Sequence, residues 1–110
     1  MIWRKVCEGF PVHIGMNALS NERLVKEHPH RDCIWFHAIS GRGSHVVLCI
    51  QDRPEPVDAV VVAVARICLD YSKTEFNEVR YAKLSDVYKP DGAGPGIWHT
   101  KLKTTIEVPV

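Results

Sequence analysis

Residues 32 to 48 read Asp32-Cys33-Ile34-Trp35-Phe36-His37-Ala38-Ile39-Ser40-Gly41-Arg42-Gly43-Ser44-His45-Val46-Val47-Leu48, and no other stretch limits the fold as strongly. Two apolar, β-prone runs flank a short Ser/Gly/Arg segment, which is the pattern of a β-hairpin. Pairing Ala38 with Ser44 sets His37 opposite His45, Trp35 opposite Val47 and Cys33 opposite Cys49. Side chains alternate along a strand, so one face carries both histidines and Trp35. The other face, with Ile34, Phe36, Val46 and Leu48, suits the main core. Both histidines then stand beside the Gly-rich turn, where backbone N–H groups and Arg42 can meet a ligand. A slip of one residue would reverse the faces.

Around this hairpin the remaining elements follow in order. Residues 2–7 and 11–14 are short β-prone pieces around Gly9, with Pro11 favouring an edge or turn. Ser20 or Asn21 is placed to cap a brief helix from Glu22 to Glu27. His28-Pro29-His30-Arg31 ends it. Val57 to Tyr71 is valine-rich, but fifteen residues without turn chemistry is long for a strand, so length decides for a helix. Its apolar stripe comprises Val57, Val61, Val64, Cys68 and Tyr71, and it is expected to pack across the sheet of the central hairpin. A strand is expected at Glu78 to Lys83, a turn or return strand at Leu84 to Tyr88, and a loop through Gly92, Gly94 and Gly96. Ile97 to Lys101 and Thr104 to Val108 are expected to close the chain as a hairpin. The reading is one domain over residues 1–110, of class α+β: a mainly antiparallel sheet packed against one long helix, with a short N-terminal helix.

Composition narrows the function classes. Fourteen basic residues against thirteen acidic ones give a formal charge of +1, with no charged run or tail, so nucleic-acid affinity would need a local patch. Cys7, Cys33, Cys49 and Cys68 lack Cys-x-x-Cys spacing and fit a reducing compartment. Met1-Ile2-Trp3-Arg4-Lys5 is not followed by the apolar stretch of a signal peptide. The longest apolar run, Ala59 to Ala65, is too short to span a bilayer. A cytoplasmic or nuclear protein that does not engage membranes is expected, cytoplasmic first.

Six histidines raise the question of a metal. His28-x-His30-x-Asp32 holds neighbouring donors, and His37 with His45 makes a cross-strand pair, yet no single local element supplies the three ligands zinc usually takes. The expectation is therefore no metal and no cofactor. The Gly92–Gly96 loop is not followed by the lysine and helix of a phosphate loop. Ser44 and His45 are adjacent on a strand and face opposite ways, which argues against a serine–histidine dyad. Cations and aromatics are dispersed instead: Arg31, Arg42, Lys73, Lys83, Lys89 and Lys101, with Tyr81, Tyr88, Trp98 and His99. Loops can gather such groups on one rim, where bases stack and lysines meet phosphates. Trp35 and Trp98 fit a core better than a stacking platform.

Taken in order, Gly15-Met16-Asn17 with Asn21, Asp32-x-x-Trp35-x-His37, Gly43-Ser44-His45-Val46, Tyr71-Ser72-Lys73, Tyr81, Val87, Lys89-Pro90, Gly92 and Gly96, and Thr105 to Pro109 resemble an NFACT-R domain. The likeness covers nearly the whole chain, which resembles a compact standalone member of that family. Met16 departs from it, standing where the family commonly has a basic residue. The NFACT-N domain, helix-hairpin-helix segments and coiled coil of the large family members have no counterpart among these residues. The large members bind the large ribosomal subunit and tRNA and recruit charged tRNA for C-terminal tailing of stalled chains. The resemblance thus implies an RNA-binding module contacting tRNA or ribosomal RNA, linked to translation or ribosome-associated quality control, with translation-complex proteins as further partners. DNA stays open as a ligand. The alternatives are a small RNA-modification enzyme or subunit using His37, His45 and Asp32, and a protein-interaction module. The expected RNA-binding residues are Asn17, Arg31, Asp32, His37, Arg42, Gly43, Ser44, His45, Lys73, Lys89, Gly92 and Lys101. With ordinary pKa values of about 6.5, the two histidines would strengthen RNA binding at mildly acidic pH.

Overall fold

The computed structural model describes residues 2–28, 31–39, 43–50, 54–72, 77–101 and 104–108. The chain enters through a β-hairpin of β1 (Ile2–Cys7) and β2 (Phe10–Gly15). Its two-residue turn, Glu8-Gly9, has positive φ at both positions, the tight turn that matches the twist of paired strands. Helix α1 (Ala18–Lys26) follows, then β3 (Ile34–Ala38) and β4 (Val46–Leu48). Next come α2 (Asp58–Tyr71) and β5 (Glu78–Lys83). A single 3-10 turn, Leu84–Asp86, leads into β6 (Val87–Tyr88), β7 (His99–Thr100) and β8 (Thr104–Glu107). The fold is α+β with a mostly antiparallel sheet and two helices. Six strands lie in the order β1-β2-β4-β3-β5-β8, and β6 pairs with β7 separately.

The central hairpin has the register its sequence implies, with Ile34 opposite Leu48, Trp35 opposite Val47 and Phe36 opposite Val46. Both faces of its strands are covered. Phe10, Val12, Ile14, Ile34, Phe36, Val46 and Leu48 meet Val60, Val61, Val64, Ala65 and Cys68 of α2. On the opposite face Trp35, Val47, Cys33 and Cys49 meet Leu24 and Val25 of α1, together with Leu84 and Val87. Burial on two faces is why β3 and β4 read as continuous apolar runs rather than alternating ones. Burying such surface contributes roughly 25 cal/mol per Å² of apolar area, the main force holding both helices to the sheet.

Three boundaries differ from the sequence expectation. Helix α1 starts at Ala18, four residues before Glu22, because Asn17 and Ser20 form a capping box. Asn17 Oδ1 accepts from the Ser20 amide at 2.8 Å and Ser20 Oγ accepts from the Asn17 amide at 2.9 Å. Val57 lies just outside α2 as its N-cap and is 66% exposed, so it leaves the apolar stripe. The closing segments do not form a hairpin: β7 pairs with β6, while β8 pairs with β5. Short strands take whichever edge offers backbone partners, and adjacency in sequence does not decide which.

Candidate nucleic-acid interface

His37 and His45 lie on the α1 face of the sheet, with ring centroids 4.4 Å apart. Each has a different environment. Trp35 Nε1 donates to His45 Nδ1 at 2.9 Å, which leaves the proton of the neutral ring on Nε2. The His45 amide donates to Asn21 Oδ1 at 3.0 Å, and Asn21 Nδ2 reaches the Gly43 carbonyl at 3.3 Å. His45 is therefore a buried strut joining the hairpin to α1. His37 packs against Trp35, with their rings stacked at 5.7 Å, and opens onto a cavity of about 750 Å³.

That cavity lies between the start of α1, the Gly43–His45 end of the central hairpin and the Gly-rich loop. Asn17, Asn21, His37, Gly43, Ser44, His45, Arg80, Gly96, Trp98 and His99 are among its lining residues. Arg80 sits opposite His37 across the β3–β5 pair. Arg80 Nε and Trp98 Nε1 are both buried and have no hydrogen-bond partner among the described residues. A buried donor without an acceptor costs about 1–3 kcal/mol, and both residues that carry these donors line the cavity.

The lid of the cavity is held from α1. Glu22 Oε1 accepts from Lys89 Nζ at 2.7 Å and from the Gly96 amide at 2.9 Å, and Lys89 also donates to the Gly94 carbonyl at 2.7 Å. Partial burial would raise the Glu22 carboxyl, but the bonds from Lys89 and Gly96 and the lysine charge outweigh it and hold the group below its ordinary range. Gly96 has φ +79, and a Cβ there would lie 3.0 Å from the Ala18 carbonyl oxygen, so a side chain would lift the loop from the helix.

The histidines are not charged near neutral pH. Burial, followed by the charges of Arg80 and His99, pushes the His37 pKa down to about 4. Burial, then His37 and Arg80, takes His45 to about 3, against a backbone hydrogen bond with Gly96 that works the other way. The expectation of stronger binding at mildly acidic pH fails on this point: sequence spacing located the pair but not its depth. Both rings act as neutral hydrogen-bonding groups between pH 6 and 8.

Of the residues expected from sequence, Asn17, His37, Gly43, Ser44 and His45 come together here. Asn17 also caps α1, and Ser44 Oγ donates to the Tyr71 carbonyl at the end of α2. Arg31 is drawn into the scaffold, its guanidinium donating to the carbonyls of Val25 at 2.8 Å and Leu84 at 3.0 Å. Asp32 lines a separate cavity with Glu55 and Lys83, at the other end of β3 from His37. Asp32 precedes β3 and His37 lies near its far end, so Asp32 does not join the histidines. Lys89, Gly92 and Lys101 lie on the flank formed by the Gly-rich loop and β7. Lys89 stands over the Trp98 ring at 5.0 Å and Lys101 over the Tyr88 ring at 5.8 Å. Arg42 and Lys73 fall outside the described residues. Sequence reasoning did not single out Arg80; its signal was an arginine at an alternating position of a strand that pairs with the histidine strand.

No family model matches the chain. Over 91 residues it is 35% identical to the Rqc2 homolog RqcH of Bacillus subtilis, covering 80% of this chain and 15% of that protein. The chain is similar to one part of RqcH. The Rqc2 homolog RqcH of Streptococcus pneumoniae shows 32% identity over 97 residues, or 84% of this chain and 17% of that protein. The chain thus spans about a sixth of the curated relatives it matches. RqcH is an NFACT-family protein, and a partial homology of this extent is consistent with an NFACT-R-like domain. The solved C-terminal part of the fibronectin/fibrinogen-binding protein from Streptococcus suis has the same fold, with TM-score 0.84 and 27% identity over 96% of this chain and 43% of that one. Among the described residues no helix is long and apolar enough to cross a membrane.

Proposed function

We propose that the protein is an RNA-binding module of ribosome-associated quality control, acting in the cytoplasm, which takes an unpaired nucleotide of tRNA or ribosomal RNA into the cavity beside His37. The homology with RqcH supports the link to quality control. The observation that carries RNA contact is the presence of Arg80 and Trp98 in the lining of that cavity, each with a buried side-chain donor that has no partner among the described residues. Phosphate and base-edge oxygens are the acceptors such donors match, and an unstacked base can lie against Trp98. Neutral His37 adds a hydrogen bond to a base edge, and the stretch that leads into β4 adds backbone groups at Gly43. Arg42, Lys73, Lys89 and Lys101 are assigned to the surrounding phosphates, and translation-complex proteins to the remaining surface.

The test is fluorescence anisotropy with tRNA and with ribosomal RNA fragments over a range of salt, comparing the parent with Arg80→Gln. The parent should bind, and Arg80→Gln, if still folded, should weaken binding about tenfold or more and lower the salt slope by about one unit. Binding to neither RNA at micromolar protein, or unchanged affinity and slope in the folded variant, would overturn the reading.

A further inference from the structure

On the same face of the sheet, away from the cavity, a second cluster of donors comes from three separate segments. His13 lies on β2, His28 two residues beyond the last turn of α1, and Cys49 one residue beyond β4. The Cys49 sulfur is 3.4 Å from His28 Nε2 and 3.9 Å from His13 Nδ1, and one ligand atom from each residue falls within 4.8 Å of the others. Their positions are fixed by the scaffold. The Cys49 amide donates to the Pro11 carbonyl at 2.9 Å, and His13 pairs with Val47 across the β2–β4 ladder.

We propose that His13, His28 and Cys49 form a zinc-binding site. Zinc bonds of about 2.3 Å to sulfur and 2.0–2.1 Å to nitrogen, at tetrahedral angles, set sulfur and nitrogen about 3.6 Å apart. The two observed sulfur–nitrogen distances bracket that value. Two imidazoles and one thiolate suit a borderline-soft divalent ion, whereas magnesium and calcium take oxygen. Three protein ligands leave the fourth position to water or another small donor. On binding, the Cys49 thiol gives its proton to solvent as the zinc–sulfur bond forms.

Sequence spacing did not reveal this site. His28 looks grouped with His30 and Asp32, but its spatial companions lie 15 residues before it and 21 after it. The site stands whether or not RNA is the ligand of the neighbouring cavity. An ion there would fasten the C-terminal end of α1 to β2 and β4, and α1 with its cap supplies Asn17 and Asn21 to that cavity, while Glu22 holds the loop beside it.

The probes are zinc and cobalt ions, added to the reduced, chelator-treated protein. The expected result is one equivalent of zinc, in competition with a chromophoric chelator, and a cobalt complex with a thiolate charge-transfer band. Free zinc at a hundred times its Kd should raise the folded-to-unfolded ratio about a hundredfold, seen as a higher melting temperature. Cys49→Ser should abolish the charge-transfer band and His13→Gln should weaken zinc at least tenfold, while Cys7→Ser should leave both unchanged. His13 is only partly buried, so its variant stays informative should Cys49→Ser fold poorly. Absence of binding at micromolar zinc would overturn the proposal. So would parent-like zinc affinity in folded His13→Gln, or loss of the band in Cys7→Ser.

Discussion

At the scale of residues, the two histidines that the sequence makes most conspicuous do different work. His45 is 3% exposed, and Trp35, its hydrogen-bond donor, is fully buried. Replacing either partner alone strands a buried polar atom, whereas replacing both removes the demand. His45→Leu should therefore destabilise the protein by about 1–3 kcal/mol, and adding Trp35→Phe should cost less than the sum of the single changes. Urea unfolding of the four proteins in this cycle measures the coupling. Strict additivity would show that the bond contributes nothing. The pairing of His37 with His45 was legible because a hairpin converts sequence distance into register. Their loss of charge was not, since burial depends on α1 and on the Gly-rich loop, which arrive from far along the chain.

Among the elements, legibility follows how local the determining signal is. The core face of α2 comes from periodicity within the helix, and the positions of β3 and β4 from apolar runs flanking a turn segment. The start of α1 depends on a side-chain exchange between Asn17 and Ser20, and the partners of β7 and β8 on open strand edges elsewhere. The Gly-rich loop belongs to the second kind. Glu22 on α1 binds both Lys89 and the Gly96 amide, so one side chain ties the loop to the helix. Glu22→Ala should free the loop: the Gly96 amide should exchange with solvent at least tenfold faster, with a loss of about 1 kcal/mol of global stability for a partly exposed pair. Glu22→Gln, which keeps the acceptor, should retain much of the protection. Hydrogen exchange followed by NMR distinguishes the three proteins. Equal Gly96 protection in all of them would remove Glu22 as the anchor.

For the whole molecule, a sheet covered on both faces places its polar groups inside, and their protonation becomes part of the folding equilibrium. His37 and His45 have folded pKa values of about 4 and about 3, below the ordinary 6.5, and His13 is also lowered. A group depressed in the folded state gives its full contribution above the unfolded pKa and loses it as pH falls, because the unfolded chain then binds protons the folded one excludes. Stability should hold between about pH 7 and 8 and start to fall below about pH 6.5. Each of the two buried imidazoles adds a slope of up to about 1.4 kcal/mol per pH unit until its folded pKa is reached. Between pH 6 and pH 4.5 the loss is thus steepest in a range where most carboxylates are still ionised, which separates this effect from ordinary acid unfolding. Urea unfolding at half-unit steps from pH 4.5 to 8 checks it. His37→Gln should flatten the slope by about half, since the side chain keeps a hydrogen-bonding group but has no proton to gain. A parent protein equally stable at pH 5 and pH 7.5 would mean that these rings are solvated, and that the cavity wall beside His37 is wetter than its packing implies.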